Sequence, residues 1–164
     1  MIQQKGFWNS DKVGYSDVYK NICIYYTMKK YLNHPEFFSA LTQLKPQLVI
    51  LWFGTNESYS NYTPENFKND LIQMQSKIKS SISNVSILVI TPPLSLLKNH
   101  ESNTVLNHYS DGIISLMKEY HFAVLPVFEF LKHSVAKIPS ASYFLMLNLI
   151  LLIIFFKHGL IFSL

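Results

Sequence analysis

Two short polar clusters in this 164-residue sequence carry the side chains best placed for chemistry. The first, Gly54-Thr55-Asn56-Glu57-Ser58, follows the apolar run Gln47-Leu-Val-Ile-Leu-Trp-Phe53. The second, Thr91-Pro92-Pro93, follows Val85-Ser-Ile-Leu-Val-Ile90. Both runs read as strands of a parallel sheet, the first buried on both faces. In open sheets of this kind ligands bind in the crevice beyond the carboxyl ends of the strands. An amide, a carboxylate and two hydroxyls at such a point suit a polar ligand. The same residues also suit an ordinary strand-to-helix turn in which Asn56 caps the next segment, and the two prolines suit a rigid loop.

Other reactive side chains are dispersed. The histidines at 34, 100, 108, 121, 133 and 158 show no metal-ligand spacing, so no metal and no other cofactor is expected. His108 and Asp111 stand three apart on one helix, and His133 follows the third strand. Cys23 has no histidine near it in sequence, which fits a packed thiol rather than a nucleophile. A single cysteine also excludes an internal disulfide framework.

The elements that must hold these clusters are legible from Pro35 onward. Phe37, Phe38, Leu41 and Leu44 mark a short amphipathic helix that Lys45-Pro46 ends. Thr63-Pro64-Glu65 is a helix start, and Phe67, Leu71, Met74, Ile78 and Ile82 form one apolar stripe behind it. Leu106, Tyr109, Ile113, Met117 and Tyr120 mark a second long helix entered through Ser102 or Asn103, and residues 122–128 read as a third strand. Helix and strand alternate, which predicts an α/β fold of three layers with a parallel sheet and right-handed crossovers. Composition agrees: 49% hydrophobic residues exclude a disordered chain. The net charge of +4 comes from scattered lysines, so nucleic acid is not an expected partner. Residues 1–31 show no clean period and no apolar leader segment.

With these residues in view, a resemblance becomes specific. LVILWFGTNES resembles the third conserved block of the SGNH (GDSL-type) hydrolases, a strand followed by Gly-x-Asn-Asp or Gly-x-Asn-Glu. The strand ending in TPP and the segment NTVLNHYSDGIISLMKEYHFAVLPVFEF resemble the same family's central half. The similarity spans about residues 32–135 and is greatest to bacterial members acting on acetylated carbohydrates. It implies a flavodoxin-like strand order and a serine esterase or acetylesterase chemistry without metal. It also implies that Asn56 is the oxyanion-hole donor, with Gly54, Thr55 and Glu57 flanking the substrate. A fixed amide donor at a developing oxyanion contributes about 3–4 kcal/mol.

The family's remaining parts do not map. No Gly-Asp-Ser block precedes Asn56; Asn9-Ser10-Asp11 shares letters but follows no predicted strand. Cys23 and Tyr25 stand where the second block has Gly and Asn, and no aspartate lies beyond Asp111 to supply an Asp-x-x-His dyad. The chain therefore reads as a truncated or decayed member, inactive as an esterase, with a small-molecule or carbohydrate ester as its expected partner. The alternative is a non-catalytic binding or membrane-anchored module that keeps the fold remnant. Without the family's first strand, the strand at 47–53 is expected to present an unpaired apolar edge.

Three segments follow from this reading: 1–31, poorly defined; 32–142, the α/β core; and 143–164, an apolar C-terminal helix. Residues 143–156, YFLMLNLILLIIFF, contain no charge. Extended back to Ile138, the run would span about 28 Å as a helix, close to a bilayer core. A transmembrane anchor, a buried helix and an out-of-frame tail are the competing origins of this stretch.

Overall fold

In this computed structural model, residues 2–5, 19–22, 27–95, 100–134 and 161–163 are described. Local chemistry sets the helices of the central part. Helix α1 (Met28–Leu32) starts at Thr27, whose hydroxyl accepts the Lys30 N–H at 3.4 Å. Helix α2 (Pro35–Leu44) has proline in its first turn and stops at Lys45, which turns left-handed at φ 45°. After the four-residue α3 (Thr55–Ser58), α4 (Pro64–Ser81) begins at Thr63, whose hydroxyl caps the Asn66 N–H at 3.2 Å. All five residues of the expected stripe, Phe67 to Ile82, are buried. Helix α5 runs from His100 to Tyr120, starting before the predicted Ser102.

The strands are β1 (Ile2–Lys5), β2 (Tyr19–Ile22), β3 (Leu48–Trp52), β4 (Ser86–Ile90), β5 (Ala123–Leu125) and β6 (Ile161–Ser163). They form one sheet in the order β1-β2-β6-β3-β4-β5, parallel throughout except for the antiparallel β1–β2 pair. The α/β fold with a parallel sheet is therefore present, and β3, β4 and β5 follow one another as the sequence predicts. Val49, Leu51, Ile87 and Val89 join a core with buried residues of α1, α2, α4 and α5. Ile50 and Ile90, on the alternate positions, join Val127 and Leu131 instead.

Three expectations need correction. The third strand does not reach residue 128: it ends at Leu125, and Val127–Ser134 form helix α6. Val127, Phe128 and Leu131 are buried at helical spacing, and the buried Thr91 hydroxyl accepts the Phe128 N–H at 2.9 Å, capping the helix from another element. Second, a strand does precede Asn9-Ser10-Asp11, but it is β1, an edge strand with β2 and β6 between it and β3. Third, β3 is not an open edge. Val49, Ile50 and Leu51 pair with Ile161, Phe162 and Ser163, so the chain's own C-terminal residues fill the slot beside it. Unpaired amides along so apolar a strand would be costly, and β6 satisfies them.

The end of the predicted C-terminal helix is thus strand at 161–163, while the apolar run 143–156 lies outside the described residues. Among the described residues no helix is long and apolar enough to cross a membrane.

Phe162 sits between two partners, Ile50 on β3 and Lys20 on β2. Phe162→Pro removes an amide donor from an interior strand and is expected to cost on the order of 3 kcal/mol. Urea unfolding should show that loss, and sedimentation velocity should show self-association through the exposed edge of β3.

Candidate active site

The polar cluster after β3 is built around a buried carboxylate. Glu57 is 1% exposed. Its Oε2 accepts the Gly54 N–H at 2.9 Å and its Oε1 accepts the Met28 N–H at 2.7 Å. The first bond closes the turn onto its own helix, α3. The second reaches the first turn of α1, 29 residues away. Both donors belong to helix N-termini, where backbone amides are otherwise unpaired and the local field favours a negative charge.

Gly54 makes the turn possible. Its φ is +116°, which L side chains rarely adopt, and a Cβ there would stand 2.9 Å from Pro92 Cγ and 3.4 Å from Tyr109 Cδ2. The second polar cluster is thereby pressed against the first. Thr91 is fully buried with its hydroxyl committed to α6, so Thr91-Pro92 is a structural wedge that fixes the relation of the two loops.

Next to this turn runs a chain of polar groups, buried at Tyr109 and Asp70 and half-buried at Tyr62. The Tyr109 hydroxyl donates to the Tyr62 carbonyl at 2.6 Å, and its ring stacks on Phe67 with centroids 4.4 Å apart. The Tyr62 hydroxyl in turn donates to Asp70. Burial, reinforced by the nearby Glu57 charge, pushes the Tyr109 hydroxyl up to about 12. Burial also raises Glu57, against the lowering effect of its backbone hydrogen bonds, and raises Asp70, opposed by Lys29.

The four residues singled out in the sequence therefore occupy different levels of one turn. Gly54 is buried at the turn itself, Glu57 lies below it, Thr55 is exposed, and Asn56 is half-buried at the start of α3. Glu57 is committed to backbone amides rather than directed to a ligand. Met28, Tyr62, Asp70, Pro92 and Tyr109 complete the support; Pro92 carries a local signal as part of a rigid loop and Tyr109 as part of the apolar stripe of α5, while the other three carry none.

The other candidates lie elsewhere. Asp111 accepts from the Asn107 side-chain amide at 2.8 Å, and the neighbouring His108 is exposed on α5. His133 is on the exposed side of α6 rather than in a loop after the third strand. Cys23, Tyr25, Ser10 and His158 fall outside the described residues. Among the described residues no group of three His, Cys, Asp or Glu side chains is arranged to hold a metal ion.

Two outcomes follow. Gly54→Ala forces a side chain into both the positive φ and the Pro92 contact, and should destabilise the chain by about 1–3 kcal/mol in urea unfolding. The second concerns pH. Because burial raises Glu57, the folded chain holds that proton more tightly than the unfolded one. Its contribution to stability is full below the ordinary value of 4.5 and is lost as pH rises through the raised value. The unfolding free energy contributed by this group should fall across that window, and Glu57→Gln should flatten the slope.

A family model, that of the GDSL-like Lipase/Acylhydrolase family, matches residues 21–144. No curated protein and no solved structure matches the chain. The match takes in β3 and its turn, β4 and its wedge, and α5 through α6. With most of its length matched and its parallel sheet in place, this chain belongs to the GDSL-like Lipase/Acylhydrolase family.

Proposed function

We propose that this chain is an acylhydrolase frame that keeps the oxyanion side of an ester-hydrolysing site and, as it stands, does not turn over esters. The observation that carries the reading is the position of Asn56, beyond the carboxyl end of β3 on a turn clamped by Gly54 and Glu57. An amide held on so constrained a turn loses little freedom on meeting a developing negative charge, which is what an oxyanion donor requires. Supporting the second half of the reading, the sequence contains no Gly-Asp-Ser block and no Asp-x-x-His. Loss of nucleophile and base together leaves only residual electrostatic assistance. The ligand class is a short acyl ester, with acetylated carbohydrate as the favoured form. A chain that binds such an ester without cleaving it would act as a binding module.

Activity and binding separate the two halves of this proposal. The purified chain and Asn56→Ala should both release p-nitrophenol from p-nitrophenyl acetate at the buffer rate; turnover that Asn56→Ala abolishes would show a working nucleophile. Titration with a peracetylated monosaccharide should shift the Asn56 side-chain amide resonances, with the free sugar as reference. An amide unmoved by either sugar would remove the ester-binding role.

A further inference from the structure

Most of the aromatic side chains around the β3 turn are committed inside the fold. The Tyr31 ring meets Phe37 and Phe53 edge-on, with centroids 5.2 and 5.6 Å away, and the Tyr109 ring stacks on Phe67. The hydroxyls of Tyr62 and Tyr109 are both hydrogen-bonded. Tyr59 is different. It closes α3 with 59% of its surface exposed, more than any other large apolar or aromatic side chain among the described residues. Among those residues no ring stacks on it and no group bonds its hydroxyl.

An exposed aromatic side chain is ordinary on its own; the place of this one is not. Asn56 and Tyr59 stand three residues apart on one helical turn, so their side chains leave the same face with Cβ atoms about 5–6 Å apart. The backbone that carries Tyr59 is also held at several points. The Ser58 N–H donates to the Gly54 carbonyl at 3.0 Å, the Tyr59 N–H to the Asn56 carbonyl at 3.4 Å and the Ser60 N–H to the Glu57 carbonyl at 3.1 Å. The Ser58 and Ser60 hydroxyls add bonds to the Thr55 and Glu57 carbonyls at 2.7 and 2.9 Å. A tyrosine on so fixed a backbone has only two torsions to settle on meeting a ligand, and so offers a large contact area at little cost in freedom.

We propose that Tyr59 is the residue that recognises the sugar: its ring is the platform on which the pyranose of an acetylated carbohydrate stacks while the acyl oxygen meets Asn56. The inference rests on the ester-binding reading given above. The face of an aromatic ring carries partial negative charge and attracts the weakly positive C–H groups on the face of a pyranose. The separation between positions 56 and 59 matches that between an acyl group and the sugar ring that bears it. Asn56 cannot tell one acyl ester from another, since each presents the same carbonyl to it. Tyr59 can, because an acyclic ester has no ring face to lay against it.

The experiment compares the full chain with Tyr59→Ala and Tyr59→Phe, titrating each with a peracetylated monosaccharide and with glyceryl triacetate. Binding is read from the Asn56 side-chain amide resonances. Removing so exposed a side chain should leave the fold intact, which an unchanged urea midpoint checks. Tyr59→Ala should bind the sugar ester about tenfold more weakly and glyceryl triacetate as before. Tyr59→Phe, which keeps the ring, should bind both as the unaltered chain does. The ring protons of the bound sugar should also move upfield with the unaltered chain and with Tyr59→Phe, but not with Tyr59→Ala. An unchanged affinity of Tyr59→Ala for the sugar ester overturns the role of Tyr59 and leaves the ester-binding reading standing. Equal weakening for both esters overturns it as well, because a general effect on the turn is not recognition of a sugar. If neither ester moves the Asn56 resonances of the unaltered chain, the ester-binding reading falls and this inference falls with it.

Discussion

The buried carboxylate of Glu57 is the constraint on which the site depends. It satisfies two backbone amides from segments far apart in sequence, one at Gly54 and one at Met28. Removing it would leave both donors unpaired in the interior, at roughly 1–3 kcal/mol for each. Burial raises the Glu57 carboxyl above its ordinary value, and the bonds from the two amides act against that shift without cancelling it. What results is mechanical: α1, the end of β3 and the start of α3 move as one piece, and Asn56 is carried on that piece.

The close approach of Gly54 to Pro92 extends the same piece to β4. Thr91 then passes it on to α6 through the bond to the Phe128 amide, and Tyr109 ties in α5 through Tyr62. The loops at the carboxyl ends of β3 and β4 are therefore fixed relative to each other by contacts that leave little room for adjustment. A parallel sheet makes this convergence automatic, since neighbouring strands end on the same side and deliver their loops to one crevice. On the proposed reading, that crevice is where an acyl oxygen would meet Asn56, and the rigidity beneath it is the chain's contribution to binding.

The helices and the central strands were readable because their signals are local. Thr63-Pro64 starts α4 and the stripe from Phe67 to Ile82 is its buried face; Leu48–Trp52 and Ser86–Ile90 are apolar runs closed by glycine and proline. The position of Asn56 beyond a strand was readable for the same reason. Residues 127 and 128 were misread because a short apolar run fits strand and helix equally well, and the group that decides in favour of α6 is the Thr91 hydroxyl, 37 residues away.

By itself, then, the sequence determined the α/β class, the order of β3, β4 and β5, and which turn carries Asn56. Tertiary structure alone decided the rest. Residues 161–163 have no local pattern that distinguishes a sheet interior from a chain end, and their place between β2 and β3 exists only through pairing with strands more than a hundred residues earlier. Glu57 has the composition of an exposed turn residue, and becomes a buried clamp only when folding brings the Met28 amide to it. Hydrogen-bond partners supplied from distant segments leave no periodic trace in the chain that needs them.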